Sequence, residues 1–101
     1  RSLQQDGILK IINLQLNDLY NNLSRIGIKV IISISAKRLL AKKGYHPNYG
    51  VRSLRREIQK SIEDKISEEL LKRNTSNISS IKVAAKNEVF IFSYYENKIT
   101  S

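Results

Sequence analysis

Arg52, Arg55 and Arg56 crowd together just after Gly50. A guanidinium is planar, presents a fork of N–H donors and stays charged at any physiological pH, which suits it to phosphate oxygens. The surrounding residues 37–60 hold eight basic side chains against one acidic, so +7 of the chain's net +9 lies there. Such a patch suits nucleic acid, an anionic lipid or a nucleotide phosphate. Spacing alone reads Arg52 as a surface arginine on a basic helix. Of Arg55 and Arg56, one is expected to line a pocket or a subunit seam and the other to be solvated.

Other chemistries find little support. His46, the single histidine, has no acid beside it for acid–base work. Ser35 and Ser53 lack a base that would activate them. Glu63-Asp64 and Glu68-Glu69 are expected to pair with Lys60, Lys65, Lys72 or Arg73 along a helix. With no Cys and one His, a thiolate or multi-histidine metal site is excluded. No catalytic residue and no metal ligand is therefore expected.

The elements that must hold the arginines can be read from periodicity. Ile8, Ile12, Leu16, Leu19 and Leu23 keep to one face of a helix over residues 5–25, with Leu9 and Ile11 widening the stripe and Gly27 stopping it. Residues 28–34 alternate as a strand, with Ile28, Val30, Ile32 and Ile34 on one face. Ser35 reads as the N-cap of a short helix through about Lys43, and Gly44 as its left-handed terminator. Tyr45 to Gly50 form a loop. Pro47 stiffens it and disfavours helix at His46. Tyr45 and Tyr49 are expected to pin the loop by burying their rings.

Val51, Leu54, Ile58, Ile62, Ile66 and Leu70 mark a second long helix to about Arg73, which Asn74–Asn77 break. A hairpin follows. Ile81, Val83 and Ala85 alternate on one arm, Phe90, Phe92 and Tyr94 on the other, and Lys86-Asn87 is the expected turn. The fold class is α+β. Three helices, the last long and a candidate for a break near Lys65, pack on a small three-stranded sheet. Residues 1–95 form one domain, and 96–101 a frayed tail.

Composition narrows the partners. The longest apolar run, Val30-Ile31-Ile32, falls far short of the roughly 20 residues of a membrane helix, so no membrane partner is expected. The basic stretch keeps one competing reading open, a small nucleic-acid-binding module. Against it, the strands show no row of exposed aromatics for stacking bases, and no nucleic-acid partner is expected. Fifteen Ile, eleven Lys and nine Asn beside four Ala, four Gly and one Pro follow AT-rich codons. That usage suggests an AT-rich genome, such as an organelle's. The start at Arg1 rather than Met suggests a piece of something longer.

The window from Gly44 to Gln59 reads Gly-Tyr-His-Pro-Asn-Tyr-Gly-Val-Arg-Ser-Leu-Arg-Arg-Glu-Ile-Gln. It resembles the sensor-2 region of Clp-type AAA+ unfoldases, whose pattern runs roughly Gly-Tyr-Asp/Asn-Pro-x-Tyr-Gly-Ala-Arg-Pro-Leu-x-Arg-x-Ile-Gln. Ile62-Glu63-Asp64 and Glu69-Leu70-Leu71 continue the likeness, and Ile11 to Leu16 resembles the helix that follows the family's large ATPase subdomain. The resemblance covers about residues 3–85 and fits the two-module ClpC and ClpB type. His46, Val51, Ser53 and Lys65 depart from the pattern, Ser53 and Lys65 where relatives carry Pro.

The resemblance implies the C-terminal small, or lid, subdomain of an ATP-dependent Clp chaperone. Arg52 would be its nucleotide-sensing arginine, presented by Gly50 and Val51, and Arg56 matches the family's basic position. ATP and Mg would belong to the parent protein. The implied partners are the large subdomain of the same chain, neighbouring subunits of a hexamer, protein substrates and a Clp peptidase. The implied location is a plastid or related organelle, or else a bacterial cytoplasm. This chain has no phosphate loop and no acidic pair after an apolar strand, so it is not expected to hold ATP or activate water by itself.

Overall fold

The computed structural model describes residues 5–73 and 77–96. Helix α1 spans Gln5–Ser24, strand β1 Lys29–Ile32, and helix α2 Ile34–Gly44. Helix α3 (Val51–Ile58) runs through a π-helical turn at Gln59–Glu63 into α4 (Asp64–Arg73). Strands β2 (Ile78–Lys86) and β3 (Val89–Glu96) close the chain. The sheet order is β1-β2-β3, with β1 parallel and β3 antiparallel to β2. A parallel pair needs a long crossover, and α2, α3 and α4 supply it. The fold is α+β, with three helical stretches against a three-stranded sheet.

The apolar stripe of α1 is buried at every position its spacing marks: Ile8, Ile12, Leu16, Leu19 and Leu23. Leu9 and Ile11 pack against its edge. Gly27 takes a positive φ of 82° in the turn that follows, where a side chain would be strained. The inner face of the sheet presents Val30 and Ile32, then Ile81 and Val83, then Phe92 and Tyr94 in register. Leu40, Leu54, Ile58 and Ile62 cover it from the helices.

The long helix carries its own correction. Leu54, Ile58, Ile62, Ile66 and Leu70 repeat strictly every four residues and are all buried. In an α-helix each such step overshoots a full turn by about 40°, and four steps would rotate the stripe by about 160°. The π turn, with its i→i+5 bonding and wider winding, takes up part of that drift. The irregularity therefore falls at Gln59–Glu63, just before Lys65, and the chain stays helical across it. Val51 departs from the stripe and is 53% exposed. It starts the helix, beyond the reach of the core.

Four boundaries differ from the sequence reading. Strand β1 ends at Ile32, and Ser33 caps α2, its Oγ accepting from the Ala36 N–H. Ser33 N–H still donates to Val83 O at 2.8 Å, so one residue closes the strand and opens the helix. Ile34 becomes the exposed first residue of α2. Ser35 Oγ instead accepts from Ala85 N–H at 3.1 Å and shares a bond with Ser33 Oγ. Gly44 is the last residue of α2 and has no positive φ. Its lack of a side chain serves packing, because a Cβ there would lie 2.8 Å from Glu57 Cβ. The hairpin turn is Asn87-Glu88, one residue later than expected, since Lys86 pairs with Val89. Both turn residues have positive φ, as a two-residue type I′ turn demands. Glu96 pairs with Ile78 and belongs to β3 rather than to a tail. Residues 74–76 of the expected break and 97–101 of the expected tail lie outside the described residues.

Candidate functional site

The loop from Tyr45 to Gly50 joins α2 to α3 and aims the arginines. Its backbone closes on one carbonyl, His46 O, which accepts from Tyr49 N–H at 3.1 Å and Gly50 N–H at 2.6 Å. Asn48 N–H donates to His46 Nδ1 at 3.2 Å. Gly50 then takes φ 48° and ψ −114°, a conformation side chains resist, and α3 begins at the next residue. Ser53 Oγ lies 2.5 Å from Gly44 O and 2.9 Å from Gly50 O, tying the end of α2 to the start of α3.

The two tyrosines divide the work unequally. Tyr45 is half-buried and packs against the core. Tyr49 is 61% exposed, and its ring centroid lies 4.9 Å from that of His46. The expectation that Tyr49 buries its ring is thus corrected. The backbone bonds to His46 O already hold the loop, leaving that ring on the surface. Pro47 is exposed as well.

Arg52 and Arg56, four apart on α3, share a cleft of about 350 Å³ with Tyr49 and Ser53. Residues at this spacing are neighbours on a helix. Among the described residues neither guanidinium has a hydrogen-bond or ion-pair partner. Arg56 also lines an adjoining cleft of about 430 Å³ with Lys43, His46, Lys60 and the acids Glu57 and Asp64. Arg55 faces the other way and approaches Asp18 of α1 at 3.9 Å. Of the two arginines left open by the sequence, Arg56 lines the clefts. Val51 contributes its backbone, with Gln15 Nε2 donating to Val51 O at 3.2 Å. Two guanidiniums on one rigid helix face, with their donors free, suit an anion with several oxygens.

Sequence reasoning missed three supports. Ser53 stands where the family pattern has Pro, yet its hydroxyl bridges two helix ends. Gln15, on the edge of the α1 stripe, anchors the start of α3. Glu57 is buried at 8% exposure, with Oε2 accepting from Ser61 Oγ at 2.5 Å and Oε1 lying 3.8 Å from Lys60 Nζ. Its signal was positional, since Glu57 stands three after Leu54 and four before Ser61 on the inward side of the helix. Among the described residues no cluster of three or more His, Cys, Asp or Glu could hold a metal ion. Among them, too, no helix is long and apolar enough to cross a membrane.

A helix, a strand, a crossover of helices and a hairpin make an α+β fold consistent with the C-terminal small subdomain of an AAA+ ATPase. The chain belongs to the family of the C-terminal, D2-small domain, of ClpB protein, whose pattern matches residues 3–83. It is 36% identical over 88 residues to the ATP-dependent Clp protease ATP-binding subunit ClpE of Bacillus subtilis, covering 87% of this chain and 12% of that protein. The ClpC subunit of Staphylococcus epidermidis is 33% identical over 94 residues, 93% of this chain and 12% of its own length. The ClpC subunit of Staphylococcus aureus strain USA300 is 38% identical over 92 residues, 91% of this chain and 11% of its own. The chain thus spans about 12% of the length of the curated relatives it matches.

Proposed function

We propose that this domain is the lid of an ATP-driven Clp unfoldase and that Arg52 reads the state of a nucleotide held by the large subdomain of the same protein. One observation carries the reading. Arg52 and Arg56 face a common cleft from a helix start braced by Gly50, Ser53 and Gln15, and neither has a described partner. The donor set fits phosphate oxygens, so these two side chains would hold ATP's terminal phosphate. The bound Mg-nucleotide supplies an anionic group whose charge and position change on hydrolysis. The fork of Arg52 grips that group only while it is attached, and releasing it frees the lid to rotate. Leu54 and Ile58 share one buried cluster with the α1 stripe, and that packing, with Gln15 on Val51 O, would make α3 and α1 move together.

In a hexamer, that rotation would drive translocation of protein substrates, with delivery to a Clp peptidase where one is present. The names of the relatives, ATP-binding subunits of Clp proteases, support this assignment. The test is Arg52→Ala in the full-length protein. Steady-state ATP hydrolysis should fall at least about tenfold, the size of losing one charge-assisted contact made in the transition state, while the domain stays folded by circular dichroism. Wild-type hydrolysis in that variant rejects the sensor role. The 101-residue chain alone should turn over no ATP.

A further inference from the structure

Strand β3 is the outer strand of the sheet, and among the described residues no strand pairs with its free edge. Its stretch Val89-Phe90-Ile91-Phe92-Ser93-Tyr94-Tyr95 holds no charge and no proline. Those are the features by which proteins ordinarily guard an open edge. Beside this strand the π turn and the start of α4 leave a groove of about 460 Å³. Phe90 and Phe92 line it together with Val89, Ser61, Lys43 and Lys65. Neither lysine has an ion-pair partner among the described residues, and Glu88 at the groove's end is taken up by Lys42. The groove is therefore apolar against the sheet and positively charged beside it.

We propose that this groove takes an extended peptide that adds to β3 as a fourth strand. An open edge offers the peptide's backbone its hydrogen bonds, and pockets on one side of the edge select alternate side chains. The side chain facing Phe90 and Phe92 is apolar. Those two residues to either side, on the same face of the added strand, are carboxylates that meet Lys43 and Lys65. This groove shares no lining residue with the Arg52 cleft, although Lys43 also lines the adjoining cleft of Arg56, so it can hold the peptide while Arg52 is occupied.

The experiment titrates the ¹⁵N-labelled chain with the peptide acetyl-Thr-Glu-Thr-Leu-Thr-Glu-Thr-amide and follows backbone amide shifts. Saturable shifts should fall on Val89 to Tyr94. Lys43→Glu with Lys65→Glu should weaken binding by about tenfold, with the remaining amide spectrum unchanged as a check of folding. A peptide N-methylated at every residue has no N–H to donate to β3 and should not bind. Four outcomes overturn the proposal: no shifts, shifts outside β3, equal binding of the N-methylated peptide, or equal binding of a peptide with Lys in place of Glu. Oligothymidylate displacing the peptide from the same amides also overturns it, in favour of single-stranded nucleic acid.

Discussion

Arg52 is defined less by its own position than by what holds its backbone. Gly50 at φ 48° and ψ −114° turns the chain into α3, and nothing lies within 4 Å of where its Cβ would stand. Gly50→Ala is thus a test of backbone strain alone, and should cost about 1–3 kcal/mol, read from urea unfolding. The same change should misdirect Arg52 and lower ATP hydrolysis in the full-length protein. Ser53→Ala removes the hydroxyl between Gly44 O and Gly50 O and should cost about 1 kcal/mol on the same assay. Arg52→Lys keeps the charge but loses the fork. If bidentate geometry matters, it should rescue little of the hydrolysis lost in Arg52→Ala. The motif around Arg52 was legible through its resemblance to the Clp sensor-2 pattern, whereas spacing alone gave a surface arginine. Between Arg55 and Arg56 spacing left the choice open and the resemblance favoured Arg56, while α1 draws Arg55 the other way through Asp18.

At the scale of elements, two close fits govern the arrangement. Gly44 lets α2 end against α3, and Gly44→Ala would bring a methyl against Glu57 Cβ, an atom that cannot swing away. A loss of about 1–3 kcal/mol is expected from such overpacking, measured by thermal or urea unfolding. Ile62, fully buried within the π turn, tests the second fit. Ile62→Ala should cost about 2–5 kcal/mol. The strict four-residue repeat from Leu54 to Leu70 was visible in the sequence, and so was a helix. That the winding relaxes at Gln59–Glu63 rather than at Lys65 was not. Drift of a stripe is harmless until a sheet beneath it requires the stripe to stay put. The α1 stripe, at spacings of 4, 4, 3 and 4, corrects its own drift and needed no such device.

Across the whole molecule, charged side chains at the surface tie separate elements together. Lys42 of α2 bonds Glu88 at the hairpin turn, and Arg73 of α4 bonds Glu69 while lying 4.8 Å over the Tyr94 ring of β3. These hydrogen bonds from Lys42 and Arg73 hold both carboxyls below the ordinary 4.5. A depressed folded value means the contribution is present above pH 4.5 and is lost as pH falls through the folded values. Stability should decline below that pH, and Glu88→Gln should flatten this part of the curve, measured as urea midpoints at pH 7 and pH 3. Because Glu88 is exposed and Glu69 only half-buried, the effect should be small and weakened by salt. The sequence by itself determined the elements and their main apolar faces, since hydrophobic period acts over a few residues, and its resemblance to Clp ATPases carried the arginine motif. Only the tertiary structure decided that Gly44 serves packing, that Tyr49 lies open, that Glu57 is buried and that Arg56 rather than Arg55 stands with Arg52. Each of those rests on contacts between segments distant along the chain; helical spacing pointed toward Glu57 and Arg56, but only the packing of the neighbouring helices decided them.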